Sequence, residues 1–268
     1  MTPGSAAGSP APAARARRRV RLIGIGPGGP EDLTVAAATA LGGLDVVLVA
    51  DKDRGVEDLT ALRTELCRRY GRADLRVIEV PDPPRDRAPA TDAAYDTAVA
   101  DWHAARAERY AAVLRDELAD GQTAGFLVWG DPALYDSTIR IVERIAAAGT
   151  VQIDYDVLPG VSAVSMLAAR HRLVLNRIGR AVTITTGRRL AAHIADGHDD
   201  LVVMLDGHLA CAELTGDWDI WWGANLGTGD EELVAGALAT ALPQIRAARA
   251  RAKAARGWVM DTYLLRRR

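Results

Sequence analysis

The residues best placed to do chemistry lie in two loops, each ending a short apolar run. Residues 126–137 read Phe-Leu-Val-Trp-Gly-Asp-Pro-Ala-Leu-Tyr-Asp-Ser, and residues 158–163 read Leu-Pro-Gly-Val-Ser-Ala. In both, the apolar stretch predicts a buried strand, and a turn with glycine and proline stops it just before a helical pattern resumes. Open α/β sheets hold their ligands at the carboxyl ends of such strands. Glycine lets backbone approach a ligand closely, proline fixes φ, and Asp131 can accept hydrogen bonds or cap the next helix. Two such loops side by side predict a cleft.

A third loop follows residues 20–25. Gly24, Gly26 and Gly29 satisfy G-x-G-x-x-G, and Asp45 follows at about the distance of a ribose-binding acid. A dinucleotide nevertheless fits poorly. Pro27 and Pro30 remove amide donors from the loop that would cradle a pyrophosphate. Glu31 and Asp32 put negative charge at the start of the helix expected over residues 31–41, where that anion would sit. A neutral or cationic ligand suits this loop better.

Around the loops, strands and helices alternate. Strands are expected at residues 20–25, 45–50, 75–80, 123–129 and 151–157, with helices at 31–41, 56–70 and 92–118, one ending near 148 and one running through 170. This alternation predicts an α/β fold with a mostly parallel sheet. A proline-rich segment, residues 80–89, interrupts it and carries Arg85 and Arg87 in extended chain. Further strands are expected at 181–186, 201–205, 219–224 and 258–265, with helices at 188–195, 230–242 and 243–255. The reading is a flexible tail over 1–19, an N-terminal α/β domain over 20–165 and a C-terminal α/β domain over 166–268.

The 268 residues carry a net charge of −2, with 49% apolar and 25% charged residues. That composition belongs to a globular chain and supplies no basic field for nucleic acid or an anionic membrane. No apolar run approaches the roughly 18 residues a membrane helix needs. The two cysteines, Cys67 and Cys211, have no ligand spacing, which fits buried thiols in a reducing cytoplasm. The histidines show no HExxH or similar metal pattern.

With these loops in place, the chain resembles the tetrapyrrole (corrin and porphyrin) methylase family. The matching stretches are GIGPGGPEDLT from Gly24, WGDPALYDS from Trp129, PGVSA from Pro159, VVMLDG from Val202 and NLGTGDEELVAG from Asn225. VPDPPRDR from Val80, DWHAARAERY from Asp101 and the extended stretch from Phe126 most resemble those members that methylate C-1 of precorrin-5 and expel acetate during cobalamin synthesis. The resemblance implies two α/β domains with S-adenosylmethionine in the cleft between them, a cytoplasmic location and a homodimer. It implies that Pro27 lies beside the donor, and that Trp129, Gly130 and Asp131 bind it largely through backbone. Leu134 would pack against it, Ser162 and Ala163 would reach it from the PGVSA loop, and Leu205 and Gly227 from the second domain. Many relatives have Tyr-Met in place of Met204-Leu205, and a Gln near Glu232.

The donor's sulfonium is cationic and carries no phosphate, so a loop poor in amide donors and rich in acids suits it. The substrate implied is a polycarboxylate macrocycle, for which Arg85, Arg87, Arg106, Arg109 and Arg140 are the candidate partners. Acetate loss needs water delivered to the acetyl carbonyl and a group that polarises its oxygen; Asp51, His103, Tyr135 and Asp136 are the candidate side chains. Asp51 falls where relatives acting on an earlier macrocycle have a catalytic aspartate. Trp218, Trp221 and Trp222 are candidates to stack on a flat ring, although adjacent strand residues face opposite ways and one of the last pair belongs to a core. Three alternatives stand beside this reading: a methylase acting on another corrin intermediate, a methylase of protein or RNA, and a non-catalytic sensor of donor or tetrapyrrole.

Overall fold

A computed structural model describes residues 17–51, 57–84 and 91–268. The tail through residue 16, and Arg85 and Arg87, lie outside the described residues. The first sheet contains β1 (Arg18–Gly24), β2 (Val46–Asp51), β3 (Arg76–Pro81), β4 (Thr123–Val128) and β5 (Ile153–Leu158). All its pairings are parallel, in the order β3-β2-β4-β1-β5. Helices α1 (Val35–Leu41) and α2 (Glu57–Tyr70) cover one face, where Ile23, Val47 and Leu127 meet Leu41 and Leu66. Helices α3 (Asp92–Asp116) and α4 (Thr138–Ala148) cover the other, where Leu22, Leu48 and Phe126 meet Leu114 and Ile141. Neighbouring strand residues thus feed opposite cores, which is why these strands read as continuous apolar runs.

Two local expectations shift. β1 begins at Arg18, inside the segment expected to be tail, because the Arg18 guanidinium is tied to the carbonyls of Arg115, in the last turn of α3, and Leu118, just past it. The helix expected from residue 31 starts at Val35, capped by the Thr34 hydroxyl, which accepts from the Ala37 amide at 3.1 Å. Glu31 and Asp32 therefore stand ahead of the helix, in a 3-10 turn. Glu31 pairs with Arg69, and Asp32 accepts from the Gly29 amide at 3.0 Å.

The second sheet contains β6 (Thr183–Thr186), β7 (Asp200–Met204), β8 (Trp218–Ala224), β9 (Glu232–Ala237) and β10 (Asp261–Arg267), in the order β6-β7-β10-β8-β9. Only β6 and β7 run parallel. Helix α5 (Ala163–His171) follows β5 in the chain but packs on this second sheet, with Val164 and Leu167 against Val202 and Leu264. The expected domain boundary at 165/166 therefore falls inside a helix that sides with the second sheet.

The helix expected over 230–242 forms only from Leu238. Its middle forms the edge strand β9, paired with β8, and a single helix, α7 (Leu238–Arg256), runs through Pro243. Proline there costs the helix one hydrogen bond, but burial of Ala241, Ile245 and Ala248 against the sheet holds the helix together across it. Trp222 is fully buried on the α7 side of the sheet, and Trp221 lies on the α5 side under the Arg266 guanidinium. Cys211 is buried, and desolvation pushes its thiol up to about 12. Cys67 is only half-buried, and desolvation raises its thiol as well.

At the carboxyl ends of β1, β4 and β5 the loops touch backbone to backbone. Gly26 and Gly130 form an antiparallel bridge, donating to each other's carbonyls at 3.2 and 2.8 Å. A Cβ on Gly160 would overlap the Gly130 carbonyl oxygen and the backbone of Gly24. Gly160→Ala should therefore lower stability by about 1–3 kcal/mol. Gly229→Ala, where a Cβ meets nothing within 4 Å, should be neutral. Chemical denaturation of the two variants checks the contrast; equal midpoints would mean the loops can separate at little cost.

Candidate active site

The three loops form one wall of a cleft of about 300 Å³. Pro27 comes from the loop after β1, Trp129 to Asp131 and Leu134 to Asp136 from the loop after β4, and Ser162 and Ala163 from the start of α5. The opposite wall belongs to the second sheet: Met204 to Gly207 after β7, Asn225, Leu226 and Thr228 after β8, and the chain from Trp258 into the start of β10. The lining is mostly apolar, with a few polar groups that converge from both sides.

Asp131 holds the first wall together. One carboxylate oxygen accepts from the Ala133 amide at 2.7 Å, and the other reaches across to the Gly160 amide at 3.0 Å. Ser162 caps α5 by accepting from the Ser165 amide. Asp136 accepts from the Thr138 amide at 2.6 Å, at the start of α4. Tyr135 takes a left-handed backbone conformation, which is rare for a bulky side chain. Its hydroxyl donates to the Ile184 carbonyl at 3.4 Å, spanning from the first sheet's loop to β6. Desolvation raises its pKa, so the phenol keeps its proton at neutral pH.

The second wall rests on a buried polar network. Asp206 accepts from the His208 and Ala210 amides and from the Tyr263 hydroxyl, the last at 2.6 Å. Asp261 accepts from the Trp222 indole and from Arg249, whose other arm reaches the Asp206 carbonyl. Burial pushes the Asp261 carboxyl up, while Arg249 and Trp222 pull it back. Burial also raises the Tyr263 phenol, keeping it a donor. The two walls meet where Gly28 lies against Gly227, so closely that a Cβ on Gly28 would overlap the Gly227 backbone. Glu231 secures that corner by accepting from the Gly227 amide at 2.7 Å and pairing with Arg170.

Of the residues singled out from the sequence, Pro27, Trp129, Gly130, Asp131, Leu134, Ser162, Ala163 and Leu205 line the cleft, as do Tyr135 and Asp136. Gly227 stands just behind it, at the junction of the walls. Asp51 is the last residue of β2, and its side chain lies outside what the structure describes. His103 is buried on α3 beside the Trp102 ring, outside the lining. Arg106 is paired with Asp82 at 2.6 Å and stacked on Trp102, and Arg109 donates to the Pro81 carbonyl, so both are tied to the end of β3. Arg140 is exposed on the first turn of α4. The sequence reading missed Asp206, Asn225, Thr228 and residues 258–262. Asn225 and Thr228 sat within a recognised motif, whereas residues 258–262 showed only a strand pattern.

A model of the tetrapyrrole (corrin/porphyrin) methylases matches residues 19–242. The chain belongs to that family. This methylase is 45% identical over 252 residues to precorrin-6A synthase [deacetylating] of Sinorhizobium sp, a match spanning 93% of this chain and 95% of that protein. A crystal structure of a cobalamin-synthesis-related protein of Corynebacterium diphtheriae superposes with a TM-score of 0.80 at 37% identity, covering 94% of this chain and 99% of that one. The fold also matches a cobalt precorrin-4 methyltransferase, with a TM-score of 0.61 at 18% identity over 93% and 94% of the two chains. The protein is a methyltransferase.

The cleft is open at Gly130. This residue has φ of +68°, and a Cβ there would meet no protein atom within 4 Å, so the space above its backbone belongs to the cleft. Gly130→Ala should weaken S-adenosylmethionine binding at least about tenfold, at a backbone cost of about 1–2 kcal/mol. Gly149→Ala, with φ of +64° at the end of α4 and equally open space, should pay the same backbone cost and bind donor normally. Calorimetric titration of both variants checks this, and equal affinities would remove Gly130 from the site.

Proposed function

We propose that this methylase transfers a methyl group from S-adenosylmethionine to C-1 of precorrin-5 and releases acetate, giving precorrin-6A. The observation that carries the reading is the 45% identity to a deacetylating precorrin-6A synthase over 252 residues, 93% of the chain. When bound, the donor supplies an electrophilic methyl group on a sulfonium. Gly130 and Pro27 present backbone to it, Leu134, Met204 and Leu205 enclose it in apolar surface, and Asp131 keeps the two first-wall loops in register.

Cleft residues assist mainly by positioning. Holding the nucleophilic ring carbon in line with the methyl group can lower the barrier by about 7–11 kcal/mol, and no metal is needed for that step. For deacetylation, Tyr135 is the suited donor to the acetyl oxygen, because its protonated phenol sits at the cleft mouth with nearly half its surface exposed. Asp136, next to it on the lining, is the candidate to orient the water, with Asp51 second to it. His103 has no part in this reading, being buried on α3. Water adds to the acetyl carbon, the bond to the macrocycle breaks, acetate departs and the ring keeps the electron pair.

The proposal extends to a cytoplasmic homodimer of two domains. It is supported by the lack of a membrane-spanning helix among the described residues and by exposed Val174 and Ile178 in the chain leading to edge strand β6, which a second copy would cover. Mass spectrometry of products from precorrin-5 and donor tests the activity. One acetate per S-adenosylhomocysteine, carrying oxygen from labelled water and formed only with donor present, is the expected result. Methyl transfer without acetate would move the protein to another corrin intermediate. Donor binding with no turnover of any corrin precursor would make it a sensor.

A further inference from the structure

Arg63, on α2, reaches the carboxyl end of β4 through a gap in the first sheet. β2 pairs with β4 only at Val46 with Ala124 and Val47 with Gly125; beyond that point the two strands part. The Leu127 carbonyl on that side is left to the Arg63 guanidinium, whose Nε and Nη2 donate to it at 3.1 and 2.9 Å. A guanidinium carries more N–H donors than one carbonyl oxygen can accept. Among the described residues, nothing accepts from Nη1 and no carboxylate pairs with Arg63. Arg63 is only half-buried, so its side chain keeps contact with solvent.

That arrangement is costly. Other deeply placed guanidiniums in the chain face carboxylates, Arg106 with Asp82, Arg249 with Asp261 and Arg266 with Asp200. A half-buried cation with only a neutral carbonyl for company forfeits hydration without a countercharge. Burial lowers its pKa accordingly, and its electrostatic neighbours are Tyr110, Asp136 and Arg106. Asp136 lines the donor cleft, so Arg63 stands behind that end of the cleft, on the carboxyl edge of the sheet.

We propose that Arg63 is a specificity-determining residue that receives a peripheral carboxylate of the macrocycle through its unused Nη1 face. The Leu127 carbonyl fixes the fork, the gap between β2 and β4 gives it access, and the ring is left over Asp136 and the cleft. The inference rests on the methylase reading above and supplies a substrate contact that the candidate arginines do not. Arg106 and Arg109 are already engaged within the protein, and Arg140 lies outside the cleft lining.

Fluorescence titration with uroporphyrin, a polycarboxylic porphyrin, and with its methyl ester tests the contact without turnover. The native protein should bind the acid more tightly than the ester. R63Q should lose about tenfold for the acid, the loss expected of one charge-assisted hydrogen bond, and nothing for the ester. Calorimetric binding of S-adenosylmethionine should be unchanged, which establishes that R63Q is folded. R63K, which keeps the charge and loses the fork, should fall between the two and serves as the comparison if R63Q loses the donor as well. Wild-type affinity for the acid in a donor-binding variant overturns the inference, as does equal binding of acid and ester by the native protein. Failure of the native protein to form S-adenosylhomocysteine from precorrin-5 would instead overturn the methylase reading, because porphyrin binding is read independently of it.

Discussion

The cleft depends on the contact of main chain with main chain at Gly26, Gly130 and Gly160. A parallel sheet leaves its strand ends about 4.8 Å apart. Loops bearing side chains would have to splay from there. The absence of Cβ atoms at Gly24 and Gly160 lets the outer loops stack directly on the middle of the wall, with the Gly26–Gly130 bridge continuing the hydrogen bonding of β1 and β4 past the end of both strands. Asp131 then ties the second loop to the third by accepting from the Gly160 amide. A rigid wall results, with its open backbone face at Gly130 turned toward the ligand. The G-x-G-x-x-G spacing is thus used for loop-on-loop packing, which explains how it coexists with two prolines and two acids that a pyrophosphate site would exclude.

The opposite wall is built on another principle. Where the first uses missing side chains, the second uses a buried network anchored by Asp206 and Asp261. Trp222, Tyr263 and Arg249 come from β8, β10 and α7, and each donates to one of these carboxylates. The network fixes the ends of three elements at the point where residues 205–207 and 258–262 turn into the cleft. A buried carboxylate is tolerable only with such partners, and removal of any donor leaves a desolvated acceptor behind. The walls join at Gly28 and Gly227, where again nothing but backbone separates them.

The central strands β1, β2 and β4 were legible because they are largely buried, and a continuous apolar run is a strong signal. Loops at strand ends announce themselves through Gly, Pro and Asp, so the first wall could be read residue by residue. The second sheet was harder. Residues 230–242 were assigned to a helix because LVAGALATAL is rich in helix formers, but pairing with β8 overrides propensity in a half-buried edge strand. Pro243 suggested a break that burial of one helix face outweighed. Residues 258–262 enter the site because β10 begins opposite the cleft, a consequence of strand order that no local pattern encodes. Arg63 was invisible for a similar reason: only the divergence of β2 from β4 gives a helix-borne arginine anything to do.

The cleft's carboxylates share a property that bears on how the enzyme works. Asp131, Asp136, Asp206 and Asp261 all accept hydrogen bonds from backbone amides or from fixed side chains. Their charge is therefore held in place and partly compensated before any ligand arrives, as preorganised electrostatics requires. A sulfonium entering such a site meets negative potential without having to reorganise it, and loses that stabilisation as its charge is neutralised on methyl transfer. Strong pairing with any one acid would deepen the ground state and slow the step. Acids already committed to structure attract the cation weakly and leave the in-line geometry to the loops.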